Sequence, residues 1–471
     1  MRDRIGRRTM LQSAVWGVGS WWVLRNSRSA RAFHANEKLN LAVVGVGRRG
    51  TALAEAVGRV GERVVALCDV DQRRAGPWQE KLPDVPWYQD FRQMLDEQDS
   101  RLDGVIAALP AHNHTAVGVA AMAQGKHVYL EKPCARTVGE ARALRRIATK
   151  QQVATQMGNQ GMATDSFRRT LELIQDGVVG EICEAHVWFA HGGPGPRELP
   201  TGHQPVPDYL DWDVWLGPLA LRPYHPAWMS GIWREVGAGN LGYNGSHGMN
   251  LTFKGLRLGA LWGTDAHAAG TIRVQSRPAE LSPHTFPRWQ TVRYDIPARG
   301  DLPPARIHWH NATPAELERQ GIWQQLTQIA GQPPVSEGSW TPESGSLLVG
   351  SRGVVHTNAH NSICRLLPES RFPEPVGPPR RLPRIPGHER EWMAACRGRG
   401  TPLSNFDHSG PVMELLLLGN VASLFEEPLE FDPQQGRILN NEDADRLLDP
   451  PRREGWQLDG PASQALKNRS G

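Results

Sequence analysis

The chain has 471 residues, enough for two domains with full cores. It is 39% hydrophobic and 22% charged, the balance of an ordinary globular protein. Its formal charge of +4 misleads: residues 1–32 hold seven Arg and one Asp, and the rest carries 46 basic and 48 acidic residues, a net of −2, so charge gives no support for nucleic-acid binding.

Residues 1–32 read as a targeting segment rather than as part of the fold. Arg2, Arg4, Arg7 and Arg8 precede an apolar stretch from Met10 to Leu24, and Ala30-Arg31-Ala32 forms an A-x-A site. The apolar run is too short for a membrane span of about 20 residues, and no second segment is long enough to span a bilayer. Arg7-Arg8-Thr9-Met10-Leu11-Gln12 is similar to the twin-arginine export motif, with Met10 where Phe is usual. The expected location is the periplasm or the exterior. Five scattered cysteines without a C-x-x-C argue against a disulfide framework or a structural zinc. They fit a protein folded in a reducing cytoplasm before export. The 17 tryptophans suit a carbohydrate site, and large buried aromatics serve cores equally well.

From Lys38 the chain alternates strand and helix. Lys38–Val44 reads as a buried strand, Gly45–Gly50 as a turn, Thr51–Val60 as a helix and Glu62–Asp69 as a second strand. In that order Gly45-x-Gly47-x-x-Gly50 gains meaning, because the spacing alone is weak. The first glycine permits the tight turn, the second lets a pyrophosphate approach the backbone, and the third allows close helix–strand packing. The helix N-terminus then faces the phosphates. Asp69 sits where a carboxylate accepts from the adenosine ribose hydroxyls and repels a 2′-phosphate, which favours NAD over NADP. Strands follow at Asp103–Pro110 and Gly125–Glu131, with a helix at about 116–124 between them, a helix at Val138–Lys150 and a sixth strand from Val153. Ligands bind at the carboxyl ends of such strands, where residues 110–114 and 131–133 fall.

After about residue 158 the pattern changes. A helix near 164–177 leads to a strand at Ile182–Ala190, a Gly- and Pro-rich loop through Pro226, and a helix at about 239–258. Residues 262–370 read as short strands of a mostly antiparallel sheet. Arg371–Pro386 reads as a surface linker, and helices follow near His388–Arg397 and Gly410–Leu424. The expected organisation is a signal at 1–32, a Rossmann domain at 38–157, an α/β substrate and oligomerisation domain at 158–450, and a tail at 451–471.

With these residues on the page, the chain resembles the Gfo/Idh/MocA oxidoreductases from about Leu39 to Trp456. Leu39–Gly50, Ile106–His114 and above all Ala123-Gln-Gly-Lys-His-Val-Tyr-Leu-Glu-Lys-Pro133 carry the resemblance, with Asp213–Pro218 and Ser404–Asp407 similar to exported members. It implies an N-terminal Rossmann domain and a C-terminal α/β domain whose open sheet often builds a homo-oligomer. It implies NAD held by Gly45, Gly47, Arg49, Gly50, Asp69, Pro110, His112, His114 and Glu131. The family's usual Gly-x-Leu-x-Asp-x-x-x-His motif stands here as Gly239-Asn-Leu-Gly-Tyr243-Asn-Gly-Ser-His247, with Tyr243 replacing the Asp, and a further usual Asp is Asn250.

Oxidising a secondary alcohol needs a base close to the hydroxyl and a group that steadies developing alkoxide charge. The expected catalytic set is His247 as base, Lys132 as donor to the same oxygen, and Tyr243 as a group that orients the imidazole, contacts a sugar hydroxyl or acts as acid. Cys134 reads as a small buried hydrophobe. His112 and His114 have no third ligand at useful spacing, so no metal is expected. Three functions fit: an exported NAD-dependent oxidoreductase acting on a sugar or sugar derivative, a redox-neutral NAD-dependent glycoside hydrolase or lyase, and a non-catalytic sugar-binding protein of the same fold.

Overall fold

The computed structural model describes residues 38–263, 270–339, 341–373 and 376–458; the expected signal at 1–32 and the end of the tail lie outside them. Six strands make the first sheet: β1 (Asn40–Val44), β2 (Arg63–Cys68), β3 (Trp87–Tyr88), β4 (Gly104–Ala107), β5 (His127–Glu131) and β6 (Thr155–Gly158). All pair in parallel, in the order β3-β2-β1-β4-β5-β6. Helices cover both faces, which is why β1, β4 and β5 are near-continuous apolar runs. The helix Arg48–Arg59 buries Leu53, Ala54 and Val57 on one side. The helix Val138–Gln151 starts from a capping box: Thr137 accepts from the Glu140 N–H at 3.2 Å and the Glu140 carboxylate accepts from the Thr137 N–H. This is the doubly wound fold that the alternation predicts.

The second sheet has nine strands: β7 (Ile182–Phe189), β8 (Ile272–Pro278), β9 (Gln290–Ile296), β10 (Ala305–Asn311), β11 (Gly345–Gly350), β12 (Val354–Asn358), β13 (Cys364–Leu367), β14 (Leu429–Asp432) and β15 (Arg437–Ile438). Their order is β13-β12-β11-β7-β10-β9-β8-β14-β15. Only β7 and β10 are parallel neighbours, so the sheet is mixed and mostly antiparallel. The helix Phe406–Ala422 packs between the sheets against Val138–Gln151. Its buried Glu414 accepts from Arg142 at 2.8 Å and from the Trp262 indole at 2.9 Å, joining the two halves.

Several elements differ from the sequence reading. The third crevice helix runs Ala111–Ala123, so His112, Asn113 and His114 lie in its first turn and not in a loop. Pro110 precedes it with φ −55° and ψ 145°, an extended entry that starts the helix at once. The loop before Pro226 holds a short helix, Trp212–Leu216, in which the Val214 N–H donates to the capping Asp211 carboxylate. The helix expected at 239–258 is broken into a π turn at Leu241–Gly245, Ser246–Gly248 and Asn250–Gly255. Two helices, Pro314–Arg319 and Ile322–Ala330, interrupt the region read as strands; Thr313 caps the first and Pro314 opens it. The helix expected from Gly410 begins at Phe406, capped by Asn405, and runs through Pro411. The tail expected from 451 begins docked, because Trp456 is buried beside Phe91. Among the described residues no helix is long and apolar enough to cross a membrane.

Candidate active site

The glycine loop leaves the end of β1 with little room to spare. Gly45 has φ +80°, and a Cβ there would overlap the Ala108 carbonyl. A Cβ on Gly50 would overlap the Gly45 carbonyl, so this helix can approach β1 closely only with glycine present. Gly47 stands at the N-cap of the helix Arg48–Arg59, and no side chain caps its first N–H groups. They are left to meet an anion. The Arg74 guanidinium lies over Gly47 and 3.5 Å from Asp69. Asp69 is buried at the end of β2 and accepts from the Val46 N–H at 2.9 Å and the Asp71 N–H at 3.0 Å. Burial raises its carboxyl pKa, against the pull of those bonds and of Arg74. A tight turn, open helix N–H groups and a buried carboxylate fit a dinucleotide. When bound, that group supplies the hydride acceptor.

The end of β5 faces the same crevice. Arg49 bridges the glycine loop to Glu131, donating Nε to Oε1 at 2.7 Å. Tyr129 and Gln160 also donate to Glu131, at 3.3 and 3.2 Å. A Cβ on Gly158 would press on this carboxylate, so the glycine of β6 makes room for it. Lys132 follows, and its Nζ donates to the backbone carbonyl of Tyr243 at 3.1 Å. The π turn at 241–245 brings Lys132 and Tyr243 together; such widened turns recur at functional sites. Burial lowers the Lys132 pKa, Glu131 raises it and Arg49 lowers it further. The Tyr243 ring lies 5.8 Å from the Lys132 Nζ, while its hydroxyl reaches towards Gly231. Burial pushes that phenol up to about 12.

His247 is buried, and its Nδ1 has no hydrogen-bond partner. Burial holds its pKa well below the ordinary value, and the positive fields of Lys132 and His360 act the same way. The His360 ring stands edge-on to it at 4.6 Å. His360 comes from the turn between β12 and β13, and a Cβ on Gly161 would strike its carbonyl. The structure thus gathers Lys132, Tyr243, His247 and His360, of which His360 was not read from the sequence. Asn250, in place of a usual Asp, is a brace: its amide donates to the Ser246 and His247 carbonyls at 2.7 and 2.9 Å. Its oxygen accepts from Asn159 at 2.9 Å.

His112 and His114 are fully buried and committed to backbone. His114 Nε2 accepts from the Leu109 N–H at 2.9 Å, so its Nδ1–H donates to the Pro133 carbonyl at 2.8 Å. His112 Nε2 pairs with the Trp215 carbonyl at 2.7 Å. They tie the β4 and β5 ends to the segment 209–217. That segment also bonds the far wall: the Gln72 N–H donates to the Tyr209 carbonyl at 2.8 Å, and the Asp211 N–H to Val70 at 3.0 Å. Arg73 stacks 3.6 Å above the Tyr209 ring. The segment therefore straps both walls of the crevice. Arg453 holds it from behind, donating to Asp213 Oδ1 at 2.5 Å and to the Gly217 carbonyl.

The pKa directions predict a pH profile. A base with a depressed pKa stays deprotonated as pH falls, so the acid limb of kcat/KM is expected well below 6.5. Lys132 loses its proton below the ordinary 10.5, so the alkaline limb is expected to fall at lower pH than for a free lysine. A profile titrating at 6.5, or flat in Lys132→Ala on its acid side, speaks against His247 as the base.

This glycine loop, strand-end carboxylate and strand order define the fold of the NAD-binding oxidoreductases. Residues 39–159 match the Gfo/Idh/MocA model, an oxidoreductase family with an NAD-binding Rossmann fold, and form a domain of that family. The chain is 28% identical over 208 residues to a glycosyl hydrolase family 109 protein of Solibacter usitatus, covering 40% of this chain and 47% of that one. It is 32% identical over 168 residues to a protein of the same name from Porphyromonas gingivalis, covering 33% and 35%. It is 24% identical over 161 residues to myo-inositol 2-dehydrogenase of Thermotoga maritima, covering 34% and 48%. The chain thus spans less than half the length of these relatives. Among solved structures, the WlbA dehydrogenase of Bordetella pertussis with NADH and UDP-GlcNAcA superposes with a TM-score of 0.53 at 14% identity, covering 82% and 97% of the two chains. A levoglucosan dehydrogenase with NADH and L-sorbose gives 0.53 at 15%, covering 84% and 99%. Both share the fold over the part of this chain that they cover.

Proposed function

We propose that this protein oxidises a secondary alcohol of a sugar or sugar derivative, with NAD as hydride acceptor. The observation that carries the reading is the pairing of Lys132 with the carbonyl of Tyr243 one turn before a neutral, buried His247, at the mouth of an NAD-binding crevice. His247 takes the hydroxyl proton, and Lys132 donates to the same oxygen as charge develops on it. Tyr243, protonated across the working range, orients the substrate or serves as acid. Arg49 and Glu131 hold the Lys132 strand end against the glycine loop. Export through the N-terminal segment and assembly through the open sheet belong to the same proposal.

A second reading is favoured by the relatives named glycosyl hydrolase family 109. In it the same oxidation acidifies a neighbouring C–H, the glycosidic group leaves as its alcohol, water adds to the double bond formed (a lyase would omit this step), and the hydride returns to the sugar. The test is incubation of the purified protein with a panel of aldoses, polyols and glycosides, following NADH and free sugar together. NADH release from an aldose or polyol supports the first reading. Glycoside cleavage with no NADH accumulation supports the second. Neither, in a protein that purifies without nucleotide, leaves only a sugar-binding role.

Asp69 also predicts the choice of dinucleotide. Asp69→Ser removes the carboxylate that repels a 2′-phosphate and releases the neighbouring Arg74 to meet one. The ratio of NAD to NADP affinity is expected to fall by at least ~10-fold, about 1.4 kcal/mol. Equal losses for both cofactors, measured by calorimetry, overturn the assignment.

A further inference from the structure

The reaction proposed above leaves one side-chain cluster unused. On parallel strands β7 and β10, His186 stands beside His308 and Trp188 beside His310. Strand alternation puts Glu184, His186, His308 and His310 on one face of the sheet, and Val187 and Trp309 on the other. A methyl on Gly248 would press on Val187 at 3.1 Å, and one on Gly245 would reach Trp309 at 3.5 Å. The segment carrying His247 therefore packs on one face of these strands, and the histidine cluster sits directly behind it.

His186 Nε2 is 2.8 Å from Glu184 Oε1, and His308 Nε2 is 3.8 Å from the same oxygen. The donor atoms of Glu184, His186 and His308 all lie within 4.8 Å of one another. The rings of His186 and His308 stack at 4.8 Å, and His310 stacks 6.0 and 6.1 Å from them. His186 and His310 are buried, and His186 Nδ1 and both nitrogens of His310 have no hydrogen-bond partner.

We infer that Glu184, His186 and His308 bind a divalent transition-metal ion of the zinc class. Two imidazoles and one carboxylate make an N/O set of that class, and the histidines select against magnesium and calcium. Bonds of about 2.0–2.2 Å need donors a little over 3 Å apart, so the three donors, now within 4.8 Å of one another, must draw together around the ion while the 2.8 Å pair of Glu184 and His186 opens slightly. Glu184 and His308 are partly exposed on the sheet face, so their side chains can move. Burial lowers the pKa values of His186 and His308, leaving their lone pairs free at neutral pH. Arg293 and Arg306 stand nearby, but both are paired with Asp295, at 2.8 and 3.1 Å. The ion would fasten the two central strands behind the segment that carries His247. The spacing of histidines along the chain does not show the site, because its donors come from strands more than a hundred residues apart.

The test uses the full chain, stripped with a chelator and titrated with Zn²⁺ against a chromophoric competitor, then with Co²⁺ for its visible absorption. One tight equivalent is expected. Glu184→Gln and His308→Ala should each weaken it at least ~10-fold and remove the Co²⁺ bands. Both side chains are partly exposed, so the variants should fold, which thermal melting of the stripped proteins checks. His360→Ala, beside His247, should leave the equivalent in place. No tight equivalent in the wild type, unchanged affinity in Glu184→Gln and His308→Ala, or loss in His360→Ala instead would each overturn the site. The readout is metal content and spectrum, so it does not depend on which sugar chemistry the crevice performs.

Discussion

Lys132→Ala is expected to lower turnover by ~10²-fold or more, and His247→Ala to do the same. The two side chains are proposed to act on one oxygen, so losing both should cost far less than the product of the single losses. The geometry also separates chemistry from folding. Lys132 bonds only a carbonyl that the π turn has already freed, and Ser246 donates to that carbonyl as well. Its removal should spare the fold. His247 is buried, so His247→Asn, which keeps a polar group there, accompanies the alanine variant. NAD affinity should survive in all of them, because neither residue belongs to the glycine loop or the end of β2. Near-full turnover in either alanine variant, with NAD bound, removes that residue from the mechanism.

The parts legible in the sequence are those whose signal is local. Gly45, Gly47 and Gly50 work within one turn, and their reason is steric: a Cβ at the first or third strikes backbone. Glu131-Lys132-Pro133 is a strand end, and its strand reads directly from the run Val128-Tyr129-Leu130. His360 carries no such signal. It arrives beside His247 through the β12–β13 turn, where Asn361 takes φ +53° and Gly161 yields space to its carbonyl. Those are long-range coincidences of packing. The resemblance puts His112 and His114 near the cofactor; no local signal shows that their nitrogens bond backbone at Leu109, Pro133 and Trp215. The helix starts about five residues earlier than its periodicity suggests, because Ala111 follows Pro110 directly, and that shift puts both rings in its buried first turn. The broken helix at 239–258 follows the same rule. Its glycines at 239, 242, 245 and 248 weaken the helix locally, and tertiary contacts then choose a π turn.

NAD is expected to stay with the protein through extensive dialysis, and turnover to proceed with no added nucleotide. Two arguments converge. If residues 1–32 direct export after folding, the chain works where no free NAD pool is expected, so a cofactor that left would end the activity. The crevice is also built to hold it: the segment 209–217 bonds the β2 end through Val70 and Gln72 and the β4 side through His112 and Asn113. Release then requires that strap to lift. Arg453 grips the strap through Asp213 and Gly217. A hydrogen bond to a charged partner contributes about 1.5–3 kcal/mol, so Arg453→Ala should speed NAD release by roughly 10–100-fold while leaving the residues at Lys132 and His247 untouched. With the cofactor retained, each cycle must restore it, by reducing a second substrate or by returning hydride to the sugar after a group has left. Release of NADH in proportion to product, activity strictly dependent on added NAD, and an unchanged release rate in Arg453→Ala would together point to a dehydrogenase that exchanges its cofactor freely.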